Sequence, residues 1–217
     1  SLRPNLVFNH IYVAEGAKLT ITEGAKLYMH GGANIIVDGE LECRGTFEHP
    51  IVIRGDRFDC INDVDQTPYN QMPNQWGGIY LQNSQSHHVI ENTHIRGASV
   101  GILLVGANRS EPILELRNSV VHNSGAYGVY AQQGSLVIEN SEISNCGESC
   151  IAQLGGTLRM AHTTVANYYR YGSRKNASVR ILNYVMQNGM RITFPVTSAV
   201  IENSIIFGGN REELGSF

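Results

Sequence analysis

Four aspartates, Asp56, Asp59, Asp63 and Asp65, stand within ten positions of one another. Carboxylate-rich loops suit calcium, a hard cation bound through oxygen. Two carboxylates at a set separation suit acid–base work at a glycosidic bond. The spacing is not that of an EF-hand loop, and aspartates also cap turns and hydrogen-bond within loops. A calcium site, an acid–base pair and plain loop structure therefore all stay open for this segment. A second candidate is Tyr168, Tyr169 and Tyr171 with Arg170 and Arg174. Tyrosine offers rigid contact area, and aromatic faces suit sugar rings or peptide segments. The competing role for these residues is to cover the edge of the fold.

Other reactive types form weaker patterns. Glu91, Glu139 and Glu202 recur at one phase of a repeat, but Arg117, Ala161 and Leu182 come between them, so no adjacent acidic pair arises. They read as solvated strand surface. His87 and His88 lie beside a turn, His30, His94 and His122 fall at different phases, and no pair has metal-ligand spacing on a shared element. Trp76 opens a strand and reads as a packed residue. Cys43, Cys60, Cys146 and Cys150 lack zinc spacing, which leaves buried thiols or one disulfide. No catalytic residue is assigned.

The elements that must position these groups are set by a recurrent asparagine. Asn92, Asn118, Asn140, Asn183 and Asn203, with His162 filling the one vacancy, return every 20 to 26 residues. Two residues before this position come Ile90, Leu116, Ile138, Met160, Ile181 and Ile201, and four before it mostly apolar residues; the residues between are mixed. That alternation is a short strand with one buried side. Three residues after it come Ile95, Val121, Ile143, Val165, Met186 and Ile206, and five after it only Asn or Gly. Asn and Gly tolerate left-handed backbone at a corner, and stacked Asn side chains can bond one another. A third strand reads in Gly101-Ile-Leu-Leu104, Gly128-Val-Tyr-Ala131, Cys150-Ile-Ala-Gln153 and Met190-Arg-Ile-Thr-Phe194.

Three strands and three corners in about 22 residues make a triangular coil that cannot bury its apolar side alone and must stack on its neighbours. The predicted fold is all-β, a right-handed parallel β-helix solenoid with three parallel sheets. Leucine-rich and propeller repeats fit less well, the first for want of its leucine pattern and the second for its longer period. The register predicted stacks Asn118, Asn140, His162 and Asn183, and likewise Val121, Ile143, Val165 and Met186. Residues 11 to 55 continue the style with Gly16-Ala-Lys-Leu19 and Gly24-Ala-Lys-Leu27 closing strand fragments. Residues 1–217 read as one domain, with an inserted loop at about 54–75 that is either functional or packed as a flap.

A net charge of -3 and a pI near 6.2 give no field for a polyanion, so nucleic acid is not an expected partner. No apolar run is long enough to span a bilayer and no signal peptide is evident. The chain opens at Ser1-Leu2 rather than Met, which leads us to expect a processed protein or a piece excised from a longer one, so that the want of a signal does not argue against export.

The phrases Gly24-Ala-Lys-Leu-Tyr-Met-His30, Ile36-Val-Asp-Gly-Glu-Leu41, Arg44-Gly-Thr46 with His49-Pro-Ile-Val-Ile53, Gly55-Asp-Arg57, and Pro68-Tyr69 leading to Trp76-Gly-Gly-Ile-Tyr80 resemble right-handed parallel β-helix proteins exported by Bacteroidetes-type Gram-negative bacteria. The resemblance covers essentially the whole chain. It implies an extracytoplasmic protein, in the periplasm or at the outer-membrane surface, often a lipoprotein with its anchor upstream. The fold is shared with pectate lyases, which says little about activity. Three classes of function follow. The reading we adopt is a non-catalytic scaffold or binding module, with cell-surface polysaccharide or another surface protein as partner. The alternatives are a polysaccharide lyase or glycoside hydrolase using the Asp-rich loop, and a spacer or adhesin segment of a longer surface protein. No cofactor is expected beyond calcium at the loop.

Overall fold

The computed structural model describes residues 3–61, 66–82, 85–107, 111 and 113–216. The chain winds through three parallel sheets. Sheet I has eight strands, from Asn5–Val7 through Thr93–Arg96, Val120–Ser124, Glu142–Cys146 and Thr164–Asn167 to Ile205–Gly208. Sheet II has eight, including Trp76–Leu81, Ala98–Val105, Tyr127–Gln132, Ser149–Leu154 and Val179–Leu182. Sheet III has seven, including His88–Glu91, Leu114–Arg117, Ser135–Glu139, Gly156–Ala161 and Val196–Glu202. Each coil passes from sheet III to I to II. Among the described residues the one helical element is a 3₁₀ turn at Tyr69–Gln71, and no helix is long and apolar enough to cross a membrane.

The apolar period becomes the core. Ile95, Val121, Ile143 and Val165 are successive partners in sheet I. Ile90, Leu116, Ile138 and Met160 do the same in sheet III. All eight are fully buried and belong to one cluster running from Val13 to Val179.

The corner from sheet III into sheet I holds the register. Asn92, Asn118, Asn140, His162 and Asn203 all sit there with φ between 45° and 52°, a region that crowds Cβ against the following carbonyl and suits Asn best after Gly. The amides of this row do not bond one another; Asn118, Asn140, His162 and Asn203 point to solvent. The stacked side chains are the hydroxyls of the next residue. Thr93, Ser119 and Ser141 each donate from N–H to the hydroxyl of the following coil, that of Ser119 at 3.1 Å, Ser141 at 3.2 Å and Thr163 at 3.5 Å; Thr163 N–H continues to Ser204 Oγ at 3.2 Å. Each hydroxyl in turn donates to the carbonyl two residues before it, at 2.7 to 2.9 Å. A buried corner whose N–H groups could not all reach the ladder is thereby satisfied.

Asn183 is not in this row, and the predicted register changes beyond His162. Met160 pairs with Ile201 and Ala161 with Glu202, so the coil partner of His162 is Asn203. From His162 to Asn203 is 41 residues, nearly twice the 22 between Asn118 and Asn140, which is why one long coil reads as two. Two insertions make up the excess. Residues 168–178 form a loop between sheets I and II. Tyr184–Gln187 and Met190–Thr193 form an antiparallel hairpin, closed by Asn188 and Gly189 at φ 51° and 78°, the two-residue turn that Asn-Gly favours. Ile181 and Leu182 therefore lie in sheet II beside Gln153 and Leu154. Met190–Thr193 is not a coil strand, and Met186 is 62% exposed rather than core. Val165 is followed in its row by Ile206.

The outer face of sheet III is a row of alternating charge. Arg117 bridges Glu115 and Glu139, Arg159 bridges Glu139 and Glu202, and Arg44 bridges Glu42 and Glu91. The glutamates at this phase are thus held by arginines. Leu182, which lies in sheet II, is not among them. All four cysteines are free thiols; Cys43, Cys146 and Cys150 are buried, and burial pushes the Cys43 thiol up to about 12.

Candidate functional site: a groove on sheet I

The outward positions of sheet I alternate with its core row. One outward row is Arg96, His122, Ser144, Ala166 and Phe207; the next is His94, Val120, Glu142, Thr164 and Ile205. Parallel in-register pairing places each residue beside its counterpart on the next coil, so side chains far apart in sequence form one floor.

A wall rises along this floor because two long loops, after Gly55 and after Asn167, leave from the corner between sheets I and II. Residues 56–61 and 66–75 come over it first. Phe58 meets Tyr28 at 4.9 Å between rings, Arg57 lies over the Tyr69 ring at 3.4 Å, and Gln75 N–H donates to the Gly97 carbonyl at 2.7 Å. Gly125 lets the loop lie flat on the next coil: a Cβ there would fall 1.9 Å from Asn74 Oδ1. Residues 168–171 extend the wall, and the Tyr171 hydroxyl donates to the Gln71 carbonyl at 3.1 Å, joining the two loops across 100 residues of sequence.

Wall and floor enclose a groove of about 650 Å³, lined among others by Asn70, Arg96, His122, Glu142, Tyr168 and Tyr171, with Phe207 at its far end. Three buried polar atoms that line it have no hydrogen-bond partner among the described residues: Asn70 Oδ1, Arg96 Nε and His122 Nε2. The three belong to polar residues that three different segments bring to one cleft. Burial lowers the His122 imidazole to about 4, helped by the positive Arg96 and opposed by Glu142. Burial and then Arg96 also lower His94. Both rings are therefore neutral at neutral pH and can donate from one nitrogen and accept at the other. The Glu142 carboxylate accepts from the Ser144 hydroxyl at 2.9 Å.

The residues named from sequence divide between this groove and elsewhere. Tyr168, Arg170 and Tyr171 line it. Tyr169 turns the other way, over Gly147, where its ring Cζ would stand 3.2 Å from an added Cβ. Arg174 is not part of the exposed patch: its side chain is 4% exposed and its guanidinium grips Glu213 at 2.5 and 2.8 Å, tying the 168–178 loop to the last strand of sheet II. In the Asp-rich loop, Asp56 pairs with His30 Nδ1 at 2.7 Å while Asp59 pairs with Arg57. The two do not share a point, and Asp63 and Asp65 lie outside the described residues. Among the described residues no three His, Cys, Asp or Glu are grouped to hold a metal ion. Trp76 is buried, with its indole N–H donating to the Arg96 carbonyl at 2.8 Å.

Arg96, His122 and Glu142 were missed because each is ordinary in its own coil. Their signal is phase: Arg96 and His122 both stand four residues after the corner asparagine, and His94 and Glu142 two after it. The model of the family described as right handed beta helix region matches residues 77–214. The chain belongs to this right-handed β-helix family. No curated protein matches it. The β-helix match takes in the whole floor of the groove together with Tyr168 and Tyr171, whereas Asn70 and Gln71 of the wall precede it.

Proposed function

We propose that this β-helix protein is a non-catalytic carbohydrate-binding module that holds a polysaccharide chain along the groove on sheet I. The observation that carries the reading is the combination of Tyr168, Tyr171 and Phe207 with the polar side chains of Asn70, Arg96, His122 and Glu142 in one cleft. A sugar ring offers an apolar C–H face and an edge of hydroxyls, so a ligand of this class uses both halves of such a surface. Five strands contribute to the floor, and at about 4.8 Å per strand the cleft runs for roughly 19 Å, room for several linked sugars. Glu142 is the one carboxylate lining it among the described residues, while glycosidic hydrolysis ordinarily takes a pair. The resemblance to exported β-helix proteins supports a place outside the cytoplasm, where the partner is a cell-surface polysaccharide or a glycan carried by another surface protein.

Screening a panel of acidic and neutral glycans with two readouts, binding and bond cleavage, tests this. The expected result is binding without turnover, weakened by Tyr168→Ala and Tyr171→Ala and less by Tyr169→Ala, whose ring reaches the groove only through its edge-on contact with Tyr171. Release of reducing ends or of unsaturated sugar would replace the reading with an enzyme. A chain that neither binds nor cleaves any glycan would favour the spacer role.

A further inference from the structure

We infer that the outer face of sheet II is a second binding surface, one for neutral β-1,4-linked glycans, on which Tyr80 and Tyr130 stack against alternate sugars. It lies on a different sheet from the groove and does not depend on the reading above. Strand pairing sets one outward row across this face: Tyr12, Ile36, Tyr80, Leu103, Tyr130 and Ala152 are successive partners. Tyrosine thus recurs on every second coil, at Tyr12, Tyr80 and Tyr130, with Ile36 and Leu103 on the coils between. The residues two further along these strands repeat the beat: Gln82 follows Tyr80 and Gln132 follows Tyr130, while Val105 follows Leu103. A core that repeats with every coil does not call for a two-coil period on its surface.

Charge sets this face apart from sheet III, where Arg117 and Arg159 are matched to glutamates. From Tyr80 to Ala152 neither row on sheet II carries a charged residue. Asp38, earlier in the second row, accepts from the Tyr12 hydroxyl at 2.5 Å. Tyr80, Leu103 and Tyr130 are partly exposed. The Tyr80 ring reaches back over buried Gly78, its Cε1 3.4 Å from where a Cβ there would stand. The Tyr130 ring reaches back the same way onto Tyr127, at 5.0 Å between centroids and 25° between planes. Arg180 in turn donates to the Tyr127 hydroxyl at 3.4 Å. Rings held in place before a ligand arrives lose little freedom on binding.

The ligand class follows from the period. A sugar lays its C–H face on an aromatic ring and offers its hydroxyls to amides at the edge. In a β-1,4-linked chain each unit is turned over relative to the last, so the same face returns once per disaccharide, and one pyranose unit is about as long as a coil is high. Coils about 4.8 Å apart set Tyr80 and Tyr130 roughly 9.6 Å apart along the solenoid. Both can therefore take the same face of one straight chain, with Gln82 and Gln132 beside its hydroxyls and the intervening unit over Leu103. Chains that coil, such as α-1,4 or β-1,3 glucans, leave a straight row after a unit or two. The uncharged rows suit a neutral ribbon; β-1,4-linked glucose and N-acetylglucosamine polymers share that geometry.

Oligosaccharides of matched length test this: β-1,4-linked glucose, β-1,4-linked N-acetylglucosamine, α-1,4-linked glucose and β-1,3-linked glucose. Affinity is measured by calorimetry, and the tyrosine ring signals of the unaltered protein are followed by NMR, with Tyr80→Phe and Tyr130→Phe assigning them. We expect the β-1,4-linked chains to bind best and to move both signals, and the stronger of the two to identify the sugar. Affinity should step up from disaccharide to trisaccharide, the first length to span both tyrosines, and gain little with a fourth unit. Tyr80→Ala and Tyr130→Ala should each weaken the trisaccharide about fivefold or more, the two phenylalanine variants should keep most of the binding, and Tyr171→Ala in the groove should leave it unchanged. α-1,4 or β-1,3 chains bound as tightly would overturn the ligand class. Binding of β-1,4 chains lost in Tyr171→Ala and kept in both Tyr80→Ala and Tyr130→Ala would overturn this surface and leave the groove standing. Binding lost in Tyr80→Ala and Tyr130→Ala, with no glycan sensitive to Tyr168→Ala or Tyr171→Ala, would uphold this surface and remove the groove reading. Ring signals of Tyr80 and Tyr130 that stay still with every β-1,4 chain would overturn the inference, and that result does not depend on an alanine variant folding.

Discussion

Replacing Ser141 by Ala tests whether the hydroxyl row holds the corner. Ser141 Oγ accepts from the Ser119 N–H at 3.2 Å and donates to the Glu139 carbonyl at 2.8 Å. Ser119 and Ser141 are 1% and 6% exposed, so water does not readily substitute. In Ser141→Ala the Glu139 carbonyl keeps the Asn118 N–H at 3.0 Å, but the Ser119 N–H loses its acceptor. Leaving one buried donor unmet costs about 1–3 kcal/mol, and for a chain of this size each kcal/mol lowers the melting temperature by about 2–4 °C. Ser141→Thr should stay within about 0.5 kcal/mol, since Thr93 and Thr163 already do the same work in their coils. Because stacked coils respond mainly through their nearest neighbours, the sharper assay is amide hydrogen exchange at Ser119, which should quicken in the alanine variant and not in the threonine one. Ser141→Ala with unchanged melting and unchanged Ser119 exchange would refute the view that these hydroxyls satisfy the corner.

Ile143→Ala, which opens a hole in the sheet I core row, should cost roughly 2–5 kcal/mol in chemical denaturation, whereas Met186→Ala, on the exposed hairpin, should stay within about 0.5 kcal/mol; equal costs would contradict a register in which only the first is core. Folded His122 resists protonation until about pH 4, while the unfolded chain takes up that proton near pH 6.5, so the unfolded state binds more protons between them. Stability should therefore fall as pH drops from about 6.5 to 4, by up to about 3 kcal/mol from this group, and His122→Asn should flatten that part of the pH–stability curve.

The coil was legible because burial imposes period 2 on each strand and the corner imposes a left-handed residue once per turn. Both leave marks in a single sequence, as Ile95, Val121, Ile143 and Val165 show beside Asn92, Asn118 and Asn140. The register failed where two insertions together happened to add about one coil. Two marks could have warned of it: Tyr184 follows Asn183 where every true corner has Ser or Thr, and Asn188-Gly189 is a hairpin turn in its own right. The groove was less legible. Its floor takes one residue from each of several coils, and its wall depends on which corner the loops leave from, which only the stacked structure reveals. The tyrosine cluster pointed to the right loop, but backbone direction, which composition does not encode, sent Tyr169 and Arg174 away from it.

The three corners of the coil carry unequal freedom. The one between sheets III and I is tight in the coils from Asn92 onward, one or two residues long and locked by hydroxyls, whereas the loops after Gly55 and after Asn167 both depart from the one between sheets I and II. Lengthening a loop at that second corner lengthens the wall of the groove without shifting any core row, because the pairing of the strands is fixed elsewhere in the turn. What the protein recognises and what keeps it folded are thus written into different vertices of the same triangle. A graft of a foreign loop at residues 168–178 that preserves Arg174 and its grip on Glu213 would change the first and spare the second.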